Sequence, residues 1–167
     1  MAETVQSSFI KVTAGHVVTG DDGKQQVISY EKTYTFTDGT GTDQIGSWFY
    51  DATRPLNATN EDIDVKGSAS FTDFQGVAMA LTGIRVILLE NLDTDTGDYF
   101  ELTQPAANGV PNILKAASDG IRIGPGGLLL WISPVDAATV TAGTGDLLNV
   151  ASADNSNYKL FIAGPNA

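Results

Sequence analysis

The chain has 167 residues, of which 42% are apolar and only 17% charged, and it has no cysteine. That length supports one core without disulfides, and the missing thiols exclude a cysteine nucleophile or a Cys-based zinc site. A net charge of −11, with lysines and arginines scattered singly, repels phosphate backbones and anionic bilayers, so no nucleic acid and no membrane is expected as a partner.

The first residues have neither a basic stretch nor an apolar one, so the expectation is a protein made in the cytoplasm without a signal peptide. Strict alternation begins at Val27. Ile28, Tyr30, Tyr34 and Phe36 share one face and Val27, Ser29, Glu31, Thr33 and Thr35 the other, the pattern of a half-buried antiparallel strand. Lys32 interrupts the aromatic face, where its stem can lie along apolar neighbours. Asp38-Gly39-Thr40-Gly41 then marks a turn, as Asp21-Asp22-Gly23 does earlier.

Gly46 to Tyr50 reads as an aromatic strand stopped by Asp51 and Pro55, and Asp62 to Phe71 alternates again through Ile63 and Val65. Gly83 to Leu89 is apolar throughout except for Arg85, which predicts a strand covered on both faces. Further strands are expected at 98–103, 120–123, 127–133, 146–151 and 157–163. In the last, Tyr158, Leu160 and Ile162 lie on one side, which ties the chain end into a sheet. Helical periodicity is weak; Phe71 to Leu81 allows one short helical turn, and Val110 to Ser118 fits neither pattern clearly. Gly124-Pro125-Gly126-Gly127 predicts a tight corner at which the chain passes from one sheet to another. The fold class is therefore all-β, a single-domain, jelly-roll-like β-sandwich of antiparallel strands with turn-rich loops. Residues 1–37 form an N-terminal arm and first strands available to a partner, and 38–167 the remainder of the sandwich.

Chemistry is sparse in this pattern. His16 is the sole histidine and has no Ser, Cys or Glu motif beside it, so it reads as a residue on a strand edge rather than a general base. Glu61, Asp62 and Asp64, and separately Asp93, Asp95 and Asp98, offer carboxylate pairs, but no accompanying motif points to hydrolysis. Asp93-Thr94-Asp95-Thr96-Gly97-Asp98 resembles the start of a calcium loop, yet Gln104 stands where the bidentate glutamate would be. A solvated acidic turn is the main reading, with Asp93, Asp95 and Asp98 as weak metal candidates. Gly124 to Gly127 lacks the Lys-Ser/Thr ending of a phosphate loop. Trp48, Phe49 and Tyr50 are read as core in preference to a sugar-stacking platform. No catalytic residue and no cofactor is expected, and the chain is read as no enzyme.

Several short motifs follow one another in a telling order: Asp38-Gly39-Thr40-Gly41, Asp62 to Gly67, Phe74-Gln75-Gly76, Gly83 to Asn91, Ile123 to Gly127, Val140 to Val150, and Tyr158 to Gly164. In this order the chain, from about Asp38 to Gly164, resembles tailed-bacteriophage virion proteins of the capsid decoration (cement) kind. The resemblance implies a small jelly-roll or β-sandwich module on the outer surface of the phage head. Its partners would be the major capsid protein and further copies of itself, as a homotrimer. The alternative is a tail or head-fibre module that binds a cell-surface glycan through its loops.

Overall fold

The computed structural model describes residues 7–166 apart from 20, 22, 58, 68–70, 74, 75 and 118. Asp22 of the first turn, Ser118, and Phe74 and Gln75 of the quoted motif thus lie outside the described residues. So do residues 1–6 of the expected arm.

The protein is all-β. Strands β1 (Ser8–Thr19) and β2 (Gln25–Phe36) pair only with each other, in an antiparallel hairpin running from Ser8↔Phe36 to Thr19↔Gln25. The rest forms two four-stranded antiparallel sheets. One contains β3 (Ser47–Asn57), β6 (Val86–Asn91), β9 (Leu128–Ile132) and β12 (Asn155–Gly164), in the order β3-β12-β6-β9. The other contains β4 (Asn60–Asp64), β7 (Phe100–Thr103), β8 (Gly120–Ile123) and β11 (Leu147–Ser152), in the order β4-β11-β7-β8. Two short strands, β5 (Gly83–Ile84) and β10 (Ala138–Thr139), pair beside them.

Alternation explains why these sheets face each other. Leu56 of β3, Ile87 and Leu89 of β6, and Tyr158, Leu160 and Ile162 of β12 point inward from the first sheet. Ile63 of β4, Phe100 and Leu102 of β7, and Leu148 and Val150 of β11 point inward from the second, closing one core. Phe100 and Tyr158 meet across it with ring centroids 5.5 Å apart. Burial of such side chains stabilises by about 1.5–3 kcal/mol each, which is what holds the sandwich together.

Most expected strands occur where the alternation placed them, but the run Gly83 to Leu89 is two strands parted at Arg85, β5 pairing with β10 and β6 lying in the first four-stranded sheet, and further readings need correction. The strand after Gly46 does not stop at Asp51 or Pro55 but continues to Asn57. It is an edge strand, where a proline costs no ladder hydrogen bond. The strand from Asp62 ends at Asp64; Lys66 and Thr72 then make single bridges to Ala80 and Ala78, and the described part of 71–81 contains no helical turn. The last correction is the largest. Ile28 and Tyr30, on the face expected to be buried, are 56% and 55% exposed, while Tyr34 and Phe36 on that same face are covered.

The predicted corner is present. Gly126 has φ +65°, a conformation that favours glycine, and Gly127 N–H donates to Gly124 C=O at 2.9 Å. β8 on one side of it lies in one sheet and β9 on the other side lies in the opposite sheet.

Candidate functional site

Two surfaces stand out, the hairpin with the sheet face beneath it and the outer face of the opposite sheet. In the hairpin register, His16 lies opposite Ile28, Ala14 opposite Tyr30, Val12 opposite Lys32, and Ile10 opposite Tyr34. Directly paired residues share a face, so Ile10, Val12, Ala14, His16 and Val18 join Ile28, Tyr30, Tyr34 and Phe36 on one apolar side. The root of that side packs against the body. Phe36 is fully buried with Ile45, Val86 and Ala163, and Ile10, Tyr34, Trp48, Leu130, Ile132 and Phe161 close around them. Beyond Val12 and Tyr34 every described hairpin residue is exposed.

The root is clamped by Arg85, the one break in the apolar run 83–89. Its side chain is buried, and its guanidinium donates to the backbone carbonyls of Gln44 (3.0 Å), Gly41 (2.9 Å), Ser133 (3.3 Å) and Pro134. Burial lowers its pKa from the ordinary arginine value, and the charges of Asp43 and Asp136 oppose that fall. Asp43 N–H donates to Pro134 C=O, Thr37 N–H to Asp43 C=O, and Ile45 N–H to Thr37 C=O, at 3.0, 3.0 and 2.9 Å. Arg85 thus locks together the loops on which β2 ends. A fork of five donors serves several carbonyls at once, a task a lysine could not fill.

Beside the root, the outer face of the sheet β3-β12-β6-β9 carries a row that crosses all four strands. Tyr50 pairs with Phe161, Phe161 with Leu88, and Leu88 with Leu130. Phe161, Leu88 and Leu130 are half-buried, and Tyr50 is 51% and the nearby Leu128 58% exposed. Trp48, Phe49 and Tyr50 therefore make no three-ring platform. Phe49 enters the core edge-on to Phe71, Trp48 stacks obliquely near Phe161, and Tyr50 faces outward.

The opposite sheet presents a polar exterior. Asn149 Nδ2 donates to Asp62 Oδ1 at 2.8 Å, and Thr103 Oγ1 donates to Asn149 Oδ1 at 2.7 Å, a ladder across β4, β11 and β7. Asn60, Gln104 and Asn108 join Asp62, Thr103 and Asn149 around a shallow depression of about 620 Å³. Gln104 Oε1 is buried there without a hydrogen-bond partner. Arg122 stacks on the Tyr99 ring at 3.3 Å nearby.

The acidic candidates separate. Glu61 turns to Arg54 and accepts the Tyr158 hydroxyl at 2.6 Å, whereas Asp62, the next residue, faces Asn149. Asp64 accepts the Lys66 N–H at 2.8 Å, closing its own turn. Burial is the largest influence on Arg54 and lowers its pKa, but Glu61, Tyr158 and Asp51 outweigh it and hold the value above normal. Burial and then Glu61 push the Tyr158 phenol far up, so it remains a donor. This triad staples β3, β4 and β12 from within the sandwich. Asp93, Asp95 and Asp98 form a turn. The Asp93 carboxylate accepts the Asn157 N–H at 3.3 Å, and Asp98 N–H donates to Asp95 C=O at 3.2 Å. Slight desolvation, then the like charges of Asp154, Asp95 and Asp93, raise the Asp98 pKa. Among the described residues no group of three or more His, Asp or Glu side chains is arranged to hold a metal ion. His16 lies exposed on the arm, between Ala14 and Val18 of the same face.

Sequence reasoning missed Arg85 as a clamp and the Arg54–Glu61–Tyr158 triad. For Arg85 a signal existed, since a lone arginine inside a two-sided apolar strand must find buried acceptors. For the triad none did, because Glu61 and Tyr158 are 97 residues apart. The fold and site define a β-sandwich with a protruding amphipathic arm. Compared with protein-family models, curated proteins and solved structures, the chain matches none of them.

Proposed function

We propose that this chain is a non-enzymatic structural protein of a tailed-bacteriophage particle. It decorates and stabilises the outer surface of the head through symmetric contacts with the major capsid protein and with its own copies, as a homotrimer made in the host cytoplasm. The observation that carries this reading is the hairpin arm, whose apolar face extends beyond the body that anchors it. A protein acting alone in solution gains nothing from such an arm, whereas an assembling one gains a contact surface.

Two further features support it. Numbering the eight principal sandwich strands along the chain, the hydrogen-bonded pairs include first with eighth, second with seventh, third with sixth and fourth with fifth. That is the order of a ribbon rolled on itself, as in jelly rolls, which are common among capsid domains. The motif order from Asp38 to Gly164 points the same way. A clamp of this kind needs rigidity and repeated weak contacts, which symmetry multiplies.

Cryo-electron microscopy of purified particles tests the proposal. Density for the sandwich on the head surface at symmetry-related positions is the expected result. Density confined to the tail, or absence of the chain from purified particles, contradicts it. The polar depression around Asp62, Thr103 and Asn149 favours a second reading, a tail or head-fibre module that binds a cell-surface glycan. Saturable binding on a glycan array, abolished by Asn149→Ala, is its signature.

A further inference from the structure

We infer that the distal half of the arm docks on a second copy of this chain, seated on the half-buried row Tyr50–Phe161–Leu88–Leu130 of the neighbour. This rests on the assembly part of the reading above and not on which particle the protein belongs to.

The first argument is the mismatch between pattern and burial. The arm alternates as a strand buried on one face does, and its root obeys the pattern. Past Val12 and Tyr34, however, Ile28 and Tyr30 are more than half exposed and Val18 is 43% exposed. Of the eleven large apolar side chains exposed among the described residues, Val18, Ile28 and Tyr30 lie on this face of the hairpin, and Phe9, Val17 and Val27 lie on its other face. An isolated two-stranded hairpin is marginal in water, so some surface must cover it for the ladder to persist.

The second argument is continuity. Ile10, Tyr34 and Phe36 already pack on the outer face of the sheet β3-β12-β6-β9, next to the row that is left half-covered. Ile28 and Tyr30 extend the same face of the same strand, so the neighbour's open row offers them the chemistry that the root finds at home.

Charge selects the occupant. From Ser8 to Phe36 three lysines balance Asp21, Asp22 and Glu31, whereas from residue 37 onward six lysines and arginines stand against sixteen acids. Two bodies repel each other, and the neutral arm is the part that approaches a second copy without that cost. The row it meets is uncharged, flanked by the Lys159–Glu90 pair at 2.5 Å.

The area suffices. Seven distal rungs span about 24 Å and two strands about 10 Å, so one face and its seat together remove about 500 Å² from water. Two or three arms exchanged in a closed ring bury about 1,000–1,500 Å², in the range of specific assemblies.

The test is mass in solution, by light scattering or sedimentation, of the full chain and of two variants on exposed positions. One is the arm pair Ile28→Lys and Tyr30→Lys, the other the seat pair Tyr50→Lys and Leu128→Lys. The natural chain should form a dimer or trimer at tens of micromolar, and each variant should sediment as a monomer with unchanged circular dichroism. A natural chain that stays monomeric, or either variant keeping the natural mass, overturns the inference. If the natural chain is monomeric yet binds purified capsids through the arm, this inference fails while the particle reading stands. If the chain assembles as described but never binds capsids, the inference stands and the particle reading fails.

Discussion

The sandwich and the arm follow the same alternating code but resolve it differently. In β12 the inward residues Tyr158, Leu160 and Ile162 are fully buried, because a second sheet lies across from them. In β2 the matching set begins buried at Phe36, is half-buried at Tyr34 and ends exposed at Tyr30 and Ile28, because the body runs out. Alternation therefore says which face of a strand seeks cover. It does not say whether the cover comes from the same chain.

Substitutions in the two regions should therefore differ in kind. The largest effect belongs in the sandwich. Leu160→Ala empties a fully buried position, and a loss of about 3–5 kcal/mol in urea unfolding is expected. Next comes the junction. Arg85→Met keeps an apolar stem but leaves the carbonyls of Gly41, Gln44, Ser133 and Pro134 without their donor. A loss of about 2–4 kcal/mol is expected in the same measurement, with earlier proteolytic nicking of the segment 37–45.

On the distal arm, Ile28→Thr should shift the unfolding of dilute protein by less than about 0.5 kcal/mol, because the side chain is already in water. The same change should weaken assembly at high concentration. Equal effects at both concentrations would mean that the arm is covered by its own chain.

The smallest effect concerns the acidic turn. Because the pKa of Asp98 is raised on folding, its contribution is present below the ordinary aspartate value and lost as pH rises through the raised one. Asp98→Asn removes that dependence. The melting temperature of the natural chain minus that of the variant should fall slightly between pH 3 and 6, and a rise would contradict the sign.

Much of the sandwich was legible in the sequence for local reasons. The strands 120–123 and 128–132 and the Gly-Pro-Gly-Gly corner between them announce themselves by turn chemistry and apolar runs. Pro55 misled, because its tolerance depends on an edge position that only the topology reveals. The arm's exposure was illegible for the same reason, since burial is a property of neighbours. Arg85 was visible as an anomaly but not as a clamp, its acceptors being loop carbonyls 41 to 49 residues away. The polar ladder Asp62–Asn149–Thr103 joins three strands with no shared motif, so no reading of adjacent residues could assemble it.

Hydrogen exchange at two protein concentrations decides whether a second copy covers the distal arm. Amides of β6, β11 and β12 should be protected at both, while those of 13–19 and 25–31 should exchange rapidly when dilute and become protected on concentration. Protection of the distal arm that is equally strong in dilute protein would contradict the account, because it would show that one copy alone holds the hairpin.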